Sequence, residues 1–587
     1  LIKMKVKQMR KRTDLIRIIL ALCFLMIILR VYFLQVIEHQ KYVDLALSQQ
    51  MMQNTIFAKR GEIYMMDGTQ TTPVVMNEKV YTISVDPFLL RTEQGQNRSQ
   101  VLTKIDGLIQ GYGVNTWEKV FANEASRYAV IARNVPYEKA KQIKEANIAG
   151  VYAQGSTKRV YPEGDLAAQV LGFVNADGKG QYGIEGGLDK ELTGVNGILK
   201  TVKDVNNIPL TIGKNNVKVP AQDGKNIVLS IDRNIQKKAE DVVKSVSDKF
   251  QISHASAVVM NPRNGQILAM VGTPSYDPAE YAKVTDARVF QTDVTMDAFN
   301  PASVCKTFAL AAAVDSGVMT PETTYLNTDL VTIDGWPIQN AIKGHTGVIP
   351  MQEVFTYSLN TGSIQALRLL GGSETEITYQ GKEKLYDYYY NRLGLGKYTG
   401  IELAEAKGTI VPPTDIDATN ARYANMTFGQ SLDLTMIQVV TAFSAVVNGG
   451  DYYTPTLVAG EMKNGEFVRS ELKSRDHQAL ESSTSETMRR MLHTARLVFP
   501  NVKGYDEGVY VGGKTGTAQV VKNGKYTFDE TIGTYVGYGA RSETDYPEYV
   551  IMTKVRADNR GLDGGINAKP IFDEISQFMV NYLKMRR

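Results

Sequence analysis

The chain has 587 residues, of which 43% are hydrophobic and 22% are charged. A chain of this length and apolar content buries a large core in several domains, which excludes a disordered or fibrous protein. The formal net charge is only +4, and residues 1–17 alone contribute +6, so the remaining 570 residues sum to −2. A nucleic-acid-binding protein needs basic residues clustered on a folded face, so nucleic acid is not an expected partner.

The cysteine and histidine content bears on cofactors. Cys23 and Cys305 are the two cysteines, and there are five histidines. Two cysteines cannot form a disulfide framework, and no zinc-ligand spacing is recognisable. We therefore expect neither a metal nor another cofactor.

The N-terminal segment is a candidate membrane anchor. Residues 18–29 are uninterrupted apolar residues, too few at about 1.5 Å each to cross a hydrocarbon core of roughly 30 Å. Extended to Ile37, the segment is long enough and contains one charged residue, Arg30. The alternative is a cleaved signal peptide, but residues 30–35 are bulky and provide no small-x-small cleavage site.

The distribution of basic residues predicts the orientation of this anchor. Seven Lys or Arg precede the span and few follow it closely, which places the N-terminus in the cytoplasm. We expect a cytoplasmic tail at 1–17, a single transmembrane helix at 18–37 and an extracytoplasmic remainder.

The part of the chain predicted to lie outside the membrane divides into two regions. Residues 38–225 are rich in strand and turn signals and show no catalytic constellation, whereas strands and amphipathic helices alternate over 226–587. The turn Asn264-Gly265 predicts a β-hairpin, and helical segments dominate from about 300 to 450. Further strands are predicted at 509–511, 531–538 and 549–555, and a last helix at 570–583. The second region is thus predicted to be α+β, with an antiparallel sheet covered by helices.

One predicted helix start brings together two reactive side chains. Asn300 is a suitable N-cap and Pro301 suits the first helical position, so Ser303 falls in the first turn. Positions i and i+3 share a helix face, which puts the Lys306 amine near the Ser303 hydroxyl, whereas Cys305 points toward the core. A neutral amine so placed activates a serine nucleophile. SxxK alone is a weak signal, because it recurs at residues 470–473.

Two further motifs strengthen this interpretation. Ser358-Leu359-Asn360 is the only SxN in the chain, and Lys514-Thr515-Gly516 is the only KTG. Considered separately, Ser358 and Asn360 could simply make hydrogen bonds within a loop, and Lys514 could be a solvated lysine on an edge strand. In the order SxxK, SxN, KTG, they resemble the active-site motifs of penicillin-binding proteins and serine β-lactamases.

The resemblance covers nearly the whole chain and is closest to class B penicillin-binding proteins. It is carried by the segments Ala58–Ile63, Arg159–Pro162, Gly183–Gly186, Asn261–Met270 and Gly513–Gln519. The chain departs from the family at Met65-Met66-Asp67-Gly68, where an Asp-Arg-Asn-Gly turn is usual, and at Ala302, where a glycine usually precedes the serine. We expect these departures to affect the pedestal and local helix packing respectively, and not catalysis.

The resemblance implies a transpeptidase domain at 226–587 on a pedestal, or dimerisation, domain at 38–225. Ser303 would attack the D-Ala-D-Ala carbonyl of a peptidoglycan stem peptide with Lys306 as base, and an amine of a neighbouring stem would resolve the acyl-enzyme. The further roles implied are a proton relay at Ser358, an amide contact at Asn360, a second cation at Lys514 and substrate-carboxylate binding at Thr515, Gly516 and Thr517. Backbone N–H groups of Ser303 and Thr517 would form the oxyanion hole, and β-lactams would acylate Ser303.

Several alternatives are weighed against this interpretation. Residues 508–515 match the phosphate-loop pattern, but the strand formers lie inside it and no helix follows, so a nucleotide is not expected. A D,D-carboxypeptidase and a β-lactamase share the motifs, but a β-lactamase needs no membrane anchor or pedestal. The three intact motifs argue against an inactive scaffold, and the short predicted cytoplasmic tail argues against a β-lactam sensor. We expect a bacterial cytoplasmic-membrane enzyme of the cell-division type, with the elongation type as the alternative. Its partners would be a glycan polymerase of the SEDS family and other divisome or elongasome membrane proteins.

Overall fold

The computed structural model describes residues 2–43, 51–92, 98–113, 116–123, 126–202, 217–471, 475–498, 508–522 and 525–586. The chain forms two compact units, one from residues 1–59 and 194–224, and one from residues 60–193 and 225–587. Leu472 and Lys473 of the second SxxK motif lie outside the described residues.

The first unit contains a long N-terminal helix and a small sheet. The helix Ile2–Tyr32 continues into a π-helical turn, Phe33–Ile37. Within it, Arg12–Ile37 is long and apolar enough to cross a membrane, with a mean hydropathy of 2.5. The antiparallel sheet contains Met51–Ile56, Gly197–Val202 and Val217–Val219. The predicted helix at 18–37 is confirmed, and its insertion and orientation stay predictions.

The second unit contains a seven-stranded sheet, called here the shared sheet, built from distant parts of the chain. Along most of its width the order is Glu466–Arg469, Val458–Lys463, Asn226–Asp232, Ile63–Asp67, Gln70–Val85 and Ala129–Val135; Val151–Val160 also pairs with Gln70–Val85. Strand Asn226–Asp232 runs parallel to Ile63–Asp67. Strands on both sides of residue 225 therefore belong to one sheet, and the predicted domain boundary there stays a prediction.

The second sheet of this unit, called here the main sheet, has five strands paired antiparallel throughout. Its order is Ile267–Thr273, His254–Met260, Tyr549–Arg556, Lys525–Ala540 and Tyr510–Lys522. The first two strands are the predicted hairpin, and Gly265 in its turn has φ +78°. The predicted strands and the α+β class are confirmed.

Helices cover both faces of the main sheet because its strands alternate buried side chains between two cores. Ala257 and Ile551 pack against the helices Arg233–Phe250 and Lys569–Tyr582. Val258 and Met552 point to the opposite core, where Lys306–Asp315, Met436–Val447 and Ser482–Leu497 pack. The remaining helices of eight or more residues are Arg98–Ile109, Tyr137–Glu145, Asn360–Leu370 and Tyr379–Tyr386.

Shorter elements complete the unit. The helices of four to seven residues are Pro87–Thr92, Trp117–Phe121, Ala168–Leu171, Gly183–Gly187, Asp189–Thr193, Asp293–Met296, Gln352–Thr356 and Asn420–Met426. The 3₁₀ and π segments are Pro278–Lys283, Ala287–Phe290, Ala302–Cys305, Asp387–Arg392 and Gly564–Ala568. Two-stranded pairs form between Thr324–Asn327 and Gly347–Pro350, Leu330–Ile333 and Trp336–Gln339, Asp451–Tyr452 and His477–Gln478, and Phe173–Val174 and Gly180–Gln181.

A buried ion cluster joins three of the segments that carry the family resemblance. The Glu185 carboxylate, which has no exposed surface, accepts from Arg60 Nε at 2.7 Å and from Arg159 Nε at 2.8 Å. Arg60 also donates to Asp189 Oδ1 at 2.7 Å, and Arg159 donates to Asn77 Oδ1 at 2.8 Å. The buried Glu185 thus pairs with both guanidinium groups, which are themselves almost fully buried, and together with Asp189 it balances their two charges.

Candidate active site

Ser303 lies in a 3₁₀ turn, Ala302–Cys305, called here the nucleophile turn, which continues directly into the helix Lys306–Asp315. The predicted cap is wrong in detail, because Pro301 occupies the N-cap position of the turn. The Asn300 amide instead donates to the Leu432 carbonyl and, at 2.8 Å, to Asp433 Oδ1. The predicted inward direction of Cys305 is confirmed, since it is fully buried and burial raises the pKa of its thiol.

The residue before the serine has an uncommon backbone conformation. Ala302 has φ +53°, in the left-handed region that costs a residue with a Cβ about 1 kcal/mol. Its N–H donates to the Gly429 carbonyl at 3.2 Å. A Cβ on Gly429 would overlap the Ala302 carbonyl. The alanine at position 302 therefore affects the backbone conformation. Our expectation that it would affect helix packing is wrong.

The two motif lysines meet at Ser358. Lys306 Nζ is 2.9 Å from Ser303 Oγ, and it donates to the Ser358 carbonyl at 2.6 Å and to Ser358 Oγ at 3.2 Å. Lys514 Nζ donates to the same hydroxyl at 3.0 Å. Ser358 Oγ accepts from both lysines, which leaves its own proton available for transfer.

The burial of these lysines sets their charge states. Lys306 has no exposed surface, and burial together with the charge of Lys514 holds its pKa well below the ordinary value. Burial lowers the pKa of Lys514 to about 7, an effect that the Asp563 carboxylate partly opposes. A neutral Lys306 has two hydrogens and one lone pair. Both hydrogens have acceptors on Ser358, so the lone pair is available to the Ser303 hydroxyl proton.

The SxN motif forms the opposite wall of the site. Ser358 has φ +55°, and Asn360 begins the helix Asn360–Leu370. The Asn360 amide donates to the Gln339 carbonyl at 2.9 Å, which ties this helix to the hairpin Leu330–Gln339. Within the described residues, this is the one hydrogen bond that the Asn360 side chain makes.

The KTG motif lies on Tyr510–Lys522, called here the lysine strand, which is the end strand of the main sheet. A Cβ on Gly516 would overlap Thr534 Oγ1 and lie 2.6 Å from the Pro301 carbonyl oxygen. Glycine at position 516 therefore lets the strand pack against Pro301, the residue that precedes the nucleophile turn. The strand is extended throughout, so the phosphate-loop match at 508–515 does not form the loop-to-helix geometry of nucleotide sites.

One carboxylate of the site has no counterpart in the sequence prediction. Asp563 Oδ2 accepts from the Thr517 hydroxyl at 2.9 Å, and the Gly564 N–H donates to Thr517 Oγ1 at 3.1 Å. Asp563 is 46 residues from Thr517 in the chain, and its only sequence signal is the turn signature Asp-Gly-Gly. The motif residues Ser303, Lys306, Ser358 and Lys514 are linked by direct contacts, and Thr515 receives a longer contact of 3.4 Å from Lys514.

Comparisons with known proteins identify two families along this chain. Residues 255–577 match the family described as penicillin-binding protein transpeptidase domain, and residues 55–229 match the penicillin-binding protein dimerisation domain. The chain is 28% identical to stage V sporulation protein D of Bacillus subtilis over 576 residues, covering 96% of this chain and 85% of the relative. It is 25% identical to the probable peptidoglycan D,D-transpeptidase PenA of Neisseria gonorrhoeae over 583 residues, covering 97% and 93%.

Solved structures share the fold. A peptidoglycan synthetase from Bifidobacterium adolescentis has a TM-score of 0.70 at 21% identity, covering 91% of this chain and 97% of that one. Penicillin-binding protein 3 from Mycobacterium tuberculosis, complexed with aztreonam, has a TM-score of 0.65 at 21% identity, covering 90% and 97%. With both domain families matched in order and the three motifs meeting in one site, the chain belongs to the penicillin-binding protein transpeptidases, of class B.

Proposed function

A class B penicillin-binding protein is a peptidoglycan D,D-transpeptidase, and we propose that this one acts through an acyl-enzyme on Ser303. Lys306 removes the hydroxyl proton as Ser303 Oγ attacks the penultimate D-Ala carbonyl. Ser358 gives its proton to the leaving D-Ala amine and regains one from Lys306. An amine of a second stem peptide then attacks the ester, and the proton that this amine loses returns to Ser303 Oγ as the crosslink forms. The contact of 2.9 Å between Ser303 Oγ and the fully buried Lys306 amine, whose pKa burial holds well below its ordinary value, carries this proposal.

Labelling with a fluorescent penicillin tests the nucleophile. We expect Ser303→Ala to abolish covalent labelling. Its thermal unfolding midpoint should stay within about 2 °C of the wild-type value, because a partly exposed hydroxyl adds little stability. Cys305→Ala is the control and should still label, since that thiol is buried away from the site. Labelling that survives in Ser303→Ala would remove Ser303 from the mechanism.

We further propose a role in septal wall synthesis, with the N-terminus in the cytoplasm and the catalytic unit outside. The apolar span supports membrane anchoring, and the likeness of the segment Gly183–Gly186 to the cell-division type supports the septal role. Depletion should make cells filament; rounding would indicate the elongation type instead.

The partner we propose is a SEDS-family glycan polymerase that receives the anchor helix. Arg30 lies within the span, its guanidinium 5.8 Å from the centre of the Phe33 ring. A cation at that depth is costly without a partner, and polar groups on a second helix lower the cost. We expect Arg30→Leu to reduce co-purification with the polymerase several-fold, whereas Arg17→Leu, in the basic tail, should not. Unchanged co-purification of Arg30→Leu would mean that the cation reaches the interface by itself.

A further inference from the structure

The helix that carries the SxN asparagine begins without a side-chain cap of its own. Leu359 occupies the N-cap position of Asn360–Leu370, and its side chain makes no cap hydrogen bond. The first N–H groups of a helix need acceptors from outside the helix. One of them, the Thr361 N–H, donates to Asn340 Oδ1 at 3.1 Å. Asn340 lies 21 residues earlier in the chain, so a distant segment supplies the missing acceptor.

The Asn340 side chain belongs to a buried polar network. It is 1% exposed, as is Asn327, and Thr361 is 4% exposed. The Asn340 NH₂ group lies within hydrogen-bond distance of three oxygens, which are Asn327 Oδ1 at 3.1 Å, Asp329 Oδ1 at 2.9 Å and Thr361 Oγ1 at 3.1 Å. The Thr361 hydroxyl donates in turn to Asn327 Oδ1 at 2.8 Å. Removing one member of such a network leaves buried polar atoms without partners, so its geometry is tightly constrained.

The segment around Asn340 contacts the motif at two further places. We call residues 339–345 the contact segment. The Gln339 carbonyl accepts from the Asn360 amide at 2.9 Å. The His345 ring stacks on the Tyr357 ring, with their centres 3.5 Å apart. The contact segment therefore touches the chain both before and after the serine of the SxN motif.

We propose that Asn340 is a positioning residue for acyl transfer, which fixes the start of the helix Asn360–Leu370 and thereby holds the Ser358 hydroxyl within reach of both motif lysines. Ser358 has φ +55°, a conformation that a residue with a Cβ keeps only where its surroundings impose it. Its hydroxyl accepts from Lys306 at 3.2 Å and from Lys514 at 3.0 Å, so a displaced helix start would disturb both contacts. The inference rests on the proposed function, in which Ser358 relays a proton to the leaving group.

The substitution Asn340→Ala removes the acceptor of the Thr361 N–H. If that variant does not fold, Asn340→Ser takes its place, because the serine hydroxyl keeps the site polar but lies one bond closer to the backbone and does not reach the helix. Thr361→Val is the first control, since it removes the hydroxyl from the network but keeps the N–H that donates to Asn340. Asn448→Ala is the second control. Asn448 is 4% exposed and donates to the Pro262 and Asp451 carbonyls at 2.6 and 2.8 Å, neither of which belongs to the motif or the contact segment.

The measurement is the time course of Ser303 acylation by fluorescent penicillin in the full-length protein, which gives the second-order rate and the final labelled fraction separately. We expect Asn340→Ala to lower the rate about tenfold, less than the roughly hundredfold that a misplacement of 1 Å can cost. The labelled fraction should still reach the wild-type value, because Ser303 and Lys306 are unchanged. Both controls should keep the rate within about twofold of the wild type, since neither removes the acceptor at the helix start.

Two outcomes would overturn the proposal. The first is a wild-type rate in the Asn340 variants, with or without a smaller labelled fraction, which would mean that Asn340 contributes only to stability. The second is an equal fall of the rate in either control. Both outcomes leave labelling dependent on Ser303, whereas labelling of Ser303→Ala would refute the proposed function itself.

Discussion

Lys306→Met is expected to remove acylation and to stabilise the protein. Methionine matches the length of the lysine stem but offers no lone pair to the Ser303 hydroxyl, so the acylation rate should fall about a thousandfold or more. The same change removes an amine with no exposed surface. Burying that amine away from water lowers the free energy of unfolding of the wild type. We expect the free energy of unfolding to increase by about 1 to 2 kcal/mol at pH 7, as is common when a substitution removes function and stabilises the fold.

The pH dependence of that gain has a definite sign. Folding lowers the pKa of Lys306 below its ordinary value near 10.5. At a pH between these two pKa values the unfolded chain binds more protons than the folded chain. The stability of the wild type therefore rises with pH in that window. The advantage of Lys306→Met should thus be greatest at low pH and shrink as the pH approaches 10.

Thermal unfolding at several pH values and penicillin labelling check both parts. Lys237→Met is the matched control, since Lys237 is an exposed lysine paired with Asp241, and it should change neither quantity appreciably. A lower unfolding midpoint for Lys306→Met would mean that the hydrogen bonds from Lys306 to Ser358 outweigh the cost of burial.

Glu185→Gln is expected to destabilise the second unit by about 3 to 5 kcal/mol, the usual cost of breaking a buried ion pair from one side. The neutral amide leaves Arg60 and Arg159 with one carboxylate partner, Asp189, which contacts Arg60 only. Two almost fully buried guanidinium groups would then share insufficient negative charge. Thermal or urea unfolding measures the loss.

The matched control for that substitution is Glu163→Gln. Glu163 pairs with Arg233 at 2.8 Å, but both side chains are partly exposed, and such pairs contribute at most about 1 kcal/mol. If Glu185→Gln costs no more than Glu163→Gln, the cluster does not hold the unit together.

Local patterns in the chain determined much of the active site. The spacing of Ser303 and Lys306 follows from the helical repeat alone, and the Asn264-Gly265 turn predicted its hairpin from backbone preference. The order of the three motifs identified the chemistry before any contact was known. The terminal helix and the apolar span are likewise local patterns of hydrophobicity.

Contacts between distant segments were decided by the tertiary structure alone. The Arg60, Arg159 and Glu185 motifs were each visible, but only packing shows that they form one ion cluster across more than a hundred residues. Nothing near Asp563 in the chain indicates that it takes the hydrogen of Thr517.

The conformation and charge of the site also depend on that packing. The left-handed Ala302 is imposed by the segment around Gly429. Asn300 donates to Asp433 instead of capping its own helix, because a partner 133 residues away is available. The lowered pKa of Lys306 has the same origin. A lysine pKa depends on which atoms exclude water from it, and those atoms come from elements that adjoin only after the sheet and its helices have assembled.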